Sequence, residues 1–128
     1  MPPEPGSPAD WLRHARSDFS LARRSGDPDT LFETLCFHSQ QAVEKCFKAV
    51  LVSRAIDPTA THNLKTLLEK FPPDIKAPSY VIEAAGLTDY AVTVRYPGAY
   101  EEVDEAEYQA ALQTAERVMS WAEEVLKK

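Results

Sequence analysis

Residues 31–52 read LFETLCFHSQQAVEKCFKAVLV, and this stretch decides the fold. Leu35, Ala42, Val43, Cys46, Ala49 and Val50 recur so that, at 3.6 residues per turn, they share one wide arc of a helix. His38, Gln41, Lys45 and Lys48 fall within a narrow arc on the other side. One long helix therefore presents a packed face and a polar stripe bearing two cations. A solvated surface would account for isolated lysines. Here the stripe is narrow, His38 extends it by a turn, and the flanking Ala42 and Ala49 are small enough to admit a ligand or a second helix. A lysine pair of this kind holds phosphate as point charges.

Outward from this segment the chain continues as helices. Residues 1–7 are a Pro-rich lead-in, and residues 8–128 form a single helical domain. Ser7-Pro8 supplies an N-cap followed by Pro at the first helical position. Trp11, Leu12, Ala15, Phe19 and Ala22 then follow helical spacing to an expected end near Ser25-Gly26. Asp27-Pro28 is expected to open the second helix, which runs to about Ala55 and stops at Ile56-Asp57-Pro58. Thr61 or Asn63 can cap a short helix from Leu64 to Lys70, ended by Phe71-Pro72-Pro73. A further helix is expected from Pro78-Ser79, through Val81, Ala84, Ala85, Thr88, Ala91 and Val92, to the break at Tyr96-Pro97-Gly98. Asp104 with Glu107 has capping-box spacing before a last helix that keeps its apolar period to Leu126. No segment alternates like a strand. The fold class is all-α: an antiparallel up-and-down bundle of four long helices plus one short helix.

The chain has 128 residues, 44% hydrophobic and 27% charged, which suits one globular domain. Its formal net charge is −6, so bulk electrostatics gives no general attraction to nucleic acid or anionic membrane. Phosphate binding has to come from a local basic patch. Cys36 and Cys46 lie ten residues apart on one helix, about 15 Å at 1.5 Å rise per residue, too far for a disulfide. Both are expected as buried thiols. The polar N-terminus lacks a signal core and no stretch can span a bilayer, so a cytoplasmic protein without membrane contact is expected.

Two downstream features join the stripe. His62-Asn63 opens the short helix; Asn63 serves as a cap, whereas a cap does not need an imidazole, and His62 can pack against the stripe. Arg95 ends the fourth helix, where it either caps carbonyls or forks onto a phosphate or carboxylate. The acidic cluster Glu101, Glu102, Asp104, Glu105 and Glu107 reads as a solvated loop and helix N-terminus. There is no Gly-rich phosphate loop, no Ser-His-Asp arrangement and no zinc spacing. Nothing demands an enzyme, and no metal or cofactor is expected.

HSQQAVEKCFKAVLV, followed by THNLKTLL and then VRYPGAYEE, resembles the HEPN domain (higher eukaryotes and prokaryotes nucleotide-binding) over roughly residues 8 to 126. The resemblance implies a small bundle of four to five helices, usually a homodimer, and in many prokaryotic members a minimal nucleotidyltransferase encoded alongside as a toxin–antitoxin-like pair. It also implies nucleotide binding, for which His38, Gln41, Lys45, Lys48, His62, Arg95 and Tyr96 are the candidates here. Several members are metal-independent ribonucleases with Arg, four to six residues, then His. Arg95 matches that arginine, but residues 96–102 contain no histidine, and Tyr100 stands at the four-residue spacing. The general acid–base group of that branch is absent. A tyrosine titrates near pH 10 and is a poor base at neutrality.

The leading expectation is therefore a non-catalytic module that binds a nucleotide such as ATP, or another phosphorylated ligand, and acts as partner or substrate-binding subunit of a minimal nucleotidyltransferase. A homodimer is expected because the second helix is too apolar for one monomer core to cover. The alternatives are a ribonuclease toxin in which His38 or His62 replaces the missing histidine, with RNA as ligand, and a scaffold whose lysines meet an acidic partner.

Overall fold

The computed structural model describes residues 2–58, 61–91 and 101–127. Five α-helices and one 3₁₀ segment follow in order: α1 Pro8–Ala22, α2 Phe32–Ser53, α3 Leu64–Glu69, α4 Ser79–Glu83, the 3₁₀ segment Ala84–Ala91, and α5 Glu105–Leu126. The described residues contain no strand, and the fold is an all-helical bundle.

α2 is the central element. α1, α5, α3 and the 3₁₀ segment all pack against it, and α4 lies on α5. Its Leu35, Cys36, Ala42, Val43, Cys46, Phe47, Ala49, Val50 and Leu51 are buried, within a core that also takes Leu12, Ala15 and Phe19 of α1 and Tyr108, Ala115 and Val118 of α5. Among the described residues the large exposed apolar side chains are Leu21, Leu31 and Ile82, all outside α2. One chain thus covers α2 unaided, and its apolar content does not by itself call for a second copy. Cys36 and Cys46 are buried without a disulfide, and burial pushes the Cys46 thiol well above its usual range.

The caps follow local chemistry. Ser7 Oγ accepts from Asp10 N, Asn63 Oδ1 from Thr66 N, and Asp104 Oδ1 from Glu107 N at 2.8 Å. Each satisfies a donor that the first helical turn leaves open. Other boundaries moved. α1 ends at Ala22, and α2 begins at Phe32 rather than at Asp27-Pro28. Between them Asp27 Oδ1 accepts from Asp29 N, a local turn that competes with helix. α2 stops at Ser53, and Ala55 takes φ 58°, the left-handed terminus more often filled by glycine.

The fourth helix is a correction. The sequence suggested one long α-helix from Pro78-Ser79; α4 has five residues and gives way to eight of 3₁₀ helix. Val81, Ala84, Leu87 and Tyr90 recur every third residue, and the first three are buried. That period is the 3₁₀ repeat. Gly86, Thr88 and Asp89 are also weak α-helix formers. The expected break at Tyr96-Pro97-Gly98 lies outside the described residues.

Candidate functional site

The polar face of α2 is held by two buried carboxylates. Asp18 enters from α1, on the side that carries Leu12, Ala15, Phe19 and Ala22 into the core. Its Oδ1 is 2.9 Å from His38 Nδ1, and its Oδ2 accepts from Lys45 Nζ. Glu44 lies on α2 itself. Lys48 Nζ donates to its Oε2 at 2.9 Å, His62 Nδ1 lies 3.0 Å from its Oε1, and Gln40 Nε2 donates to Oε1 at 3.2 Å. Gln40 also donates to the His62 carbonyl oxygen, and Gln41 Nε2 donates to Gln40 Oε1 at 2.8 Å. Each carboxylate thus joins one imidazole to one ammonium.

An ionised carboxylate only accepts, so the proton on each imidazole must sit on Nδ1. The Nε2 atoms of His38 and His62 then face away from their anchors, and neither has a hydrogen-bond partner among the described residues. The imidazoles differ in access: His62 is 71% exposed, His38 24%.

The lysines differ as well. Lys48 is 8% exposed, its ammonium on Glu44 and 5.6 Å above the Trp11 ring. It serves the packing of α1 on α2, so the stripe of two solvent-facing cations is reduced to one. Lys45 remains 24% exposed and lines a cavity of about 310 Å³ with Gly6, Asp10, Trp11 and His14. Asp10 is fixed on that wall by the Gly6 N–H and the Arg13 guanidinium, which hold its carboxyl below the usual range.

Of the sequence candidates, His38 and Lys45 share Asp18, while Lys48, His62 and, through Gln40, Gln41 share Glu44. Arg95 and Tyr96 lie outside the described residues. Sequence reading missed Asp18 and Glu44. The signal for Asp18 was a charge standing on an apolar helix face, between Ala15 and Ala22 at helical spacing. For Glu44 it was the four-residue spacing to both Gln40 and Lys48. Among the described residues no group of three or more His, Cys, Asp or Glu could hold a metal, and no helix is long and apolar enough to cross a membrane.

The HEPN domain model matches residues 8–125, almost the whole chain. This chain belongs to the HEPN domain family. Two solved structures share the fold. TT1696 from Thermus thermophilus is 29% identical with a TM-score of 0.80, over 94% of this chain and 98% of that one. ST0689, described as an archaeal HEPN homologue, is 26% identical with a TM-score of 0.75 over the same shares. No curated protein matches the chain. The HEPN assignment accounts for the helical architecture and leaves the site to be read from its own chemistry.

Proposed function

We propose that this chain is a non-catalytic, nucleotide-binding HEPN protein of the cytoplasm that acts, as a homodimer, as partner or substrate-binding subunit of a minimal nucleotidyltransferase in a toxin–antitoxin-like pair. The observation that carries the binding role is the pairing of His38 and Lys45 on the buried Asp18. An ammonium has three donors, and the Asp18 bond uses one of them. Lys45 therefore keeps N–H groups for a ligand, and the Asp18 anchor orients the His38 ring. Asp18 and Glu44 balance Lys45 and Lys48 in charge, so a phosphate is held by directed donors rather than by net charge. Gln41 and His62 extend the polar surface, Lys48 holds it in place, and Arg95 and Tyr96 complete the ligand set.

Calorimetric titration of ATP into the wild type, Lys45→Ala and Arg95→Ala tests this reading. Each substitution is expected to weaken binding about tenfold, the loss of one charge-assisted hydrogen bond, with helical circular dichroism unchanged. Equal affinity in all three proteins would refute the site. Co-elution with a minimal nucleotidyltransferase expressed in the same cells tests the partner role, and light scattering tests the dimer.

One observation favours a second reading, a ribonuclease toxin. A histidine whose Nδ1 rests on a buried carboxylate while Nε2 faces outward has the arrangement of a general base, and His38 and His62 both have it. RNA cleavage in chelator, lost in Arg95→Ala and in one histidine variant, would decide for it. Intact RNA decides against it.

A further inference from the structure

A second cavity lies where α1 turns into α2, with His38 among its walls. Its volume is about 430 Å³, and Leu21, Leu35, Arg24, Asp27, Thr34 and His38 are among the residues that line it. This is within the range of small-molecule sites, roughly 300–1,000 Å³. We infer that this cavity is the nucleoside subsite of the protein, taking the base and ribose of a nucleotide whose phosphates extend from Arg24 past His38 toward Lys45. The inference rests on the nucleotide-binding reading and adds a place for the nucleoside, at the α1–α2 turn, to the phosphate donors His38 and Lys45.

The walls divide by chemistry. Leu21 is exposed and offers an apolar surface that a base can cover. Arg24 is exposed on this wall, and its planar fork suits a phosphate. Asp27 is fixed by the bond from Asp29 N to its Oδ1 at 2.9 Å, which leaves Oδ2 for a vicinal diol. The Thr34 hydroxyl adds a donor or acceptor. The His38 imidazole is shared: Asp18 holds its Nδ1, and the ring forms a wall of this cavity. The phosphate donors and the nucleoside cavity thus meet at one side chain.

Arg24, Asp27 and Thr34 are all exposed, so substitutions there leave the core intact. ADP, 2′,3′-dideoxy-ADP and inorganic pyrophosphate are titrated into the wild type, Arg24→Gln, Asp27→Asn, Thr34→Phe and Lys45→Ala. Arg24→Gln and Thr34→Phe are each expected to weaken ADP about tenfold or more, the one by loss of a charge-assisted bond and the other by filling the cavity. Asp27→Asn should weaken ADP and leave the dideoxy compound unchanged, and Thr34→Phe should leave pyrophosphate unchanged. If Lys45→Ala weakens ADP while Arg24→Gln and Thr34→Phe do not, the subsite is overturned and the nucleotide-binding reading stands. If the wild type binds no ADP, both fall.

Discussion

Asp18 of α1 lies 2.9 Å from His38 and also accepts from Lys45, so one buried carboxylate ties together two residues seven positions apart on α2. The consequence reaches beyond helix packing. The anchor selects the Nδ1–H form of the imidazole and fixes the ring as a wall of the α1–α2 cavity. In Asp18→Asn that selection is relaxed, because an amide can donate as well as accept. Long-range ¹H–¹⁵N correlation spectra of the wild type should show the His38 proton on Nδ1 whenever the ring is neutral. The Asn variant should show a mixture. An unchanged spectrum would remove Asp18 from the positioning role.

Glu44 and Lys48 form a different kind of pair. They are 3% and 8% exposed, so each depends on the other for its charge. Glu44→Ala strands the Lys48 ammonium and should cost about 3 kcal/mol, the magnitude of breaking a buried pair. Adding Lys48→Met should restore most of that loss, since the stranded charge is gone. Urea unfolding of the three variants measures both steps. A loss below about 1 kcal/mol for Glu44→Ala would mean that water reaches the pair.

Ala55 sits at φ 58° just beyond α2, where Ala55 N donates to Val52 O and Ile56 N to Leu51 O, each at 3.0 Å. The hydrogen bonds favour this terminus and the Cβ opposes it. The left-handed conformation costs a non-glycine residue about 1 kcal/mol. Ala55→Gly is therefore expected to raise stability by up to about 1 kcal/mol, less what glycine's unfolded-chain entropy takes back. A lowered midpoint in thermal unfolding would contradict this account of the α2 terminus.

Burial pushes the Cys46 thiol up in the folded state. As pH rises through the ordinary thiol value of about 8.5, the unfolded chain loses a proton that the folded chain keeps, so stability falls with rising pH. The loss between pH 8.5 and 9.5 should be about 1 kcal/mol smaller in Cys46→Ala than in the wild type. The same burial protects Cys46 from maleimide, which should label it only as fast as the protein opens globally. Labelling of Cys46 at the rate of an exposed thiol would show that the core opens locally.

What the sequence disclosed and what it hid have separate physical reasons. The starts of α1, α3 and α5 were legible because Ser7, Asn63 and Asp104 bond donors within three residues of themselves. The packed face of α2 was legible because burial follows helical period. The 3₁₀ segment was not, because Val81, Ala84 and Leu87 are spaced by threes, and over so short a span that spacing also falls on one face of an α-helix. In the site, the stripe from His38 to Lys48 was visible as a face of one helix. Its neutralisation was not visible, since Asp18 reaches Lys45 across 27 positions of chain. Periodicity tells which way a side chain faces and is silent about what meets it there.

The claim that carries this account is that a nucleotide binds at the imidazole and ammonium held by Asp18. Its most direct measurement is a titration of ATP into ¹⁵N-labelled protein, following the His38 ring nitrogens and Lys45 Nζ. The account predicts saturable shifts at both, with one common dissociation constant, and their loss in Lys45→Ala. Saturable binding that leaves His38 and Lys45 unmoved, or no saturable binding, would contradict it.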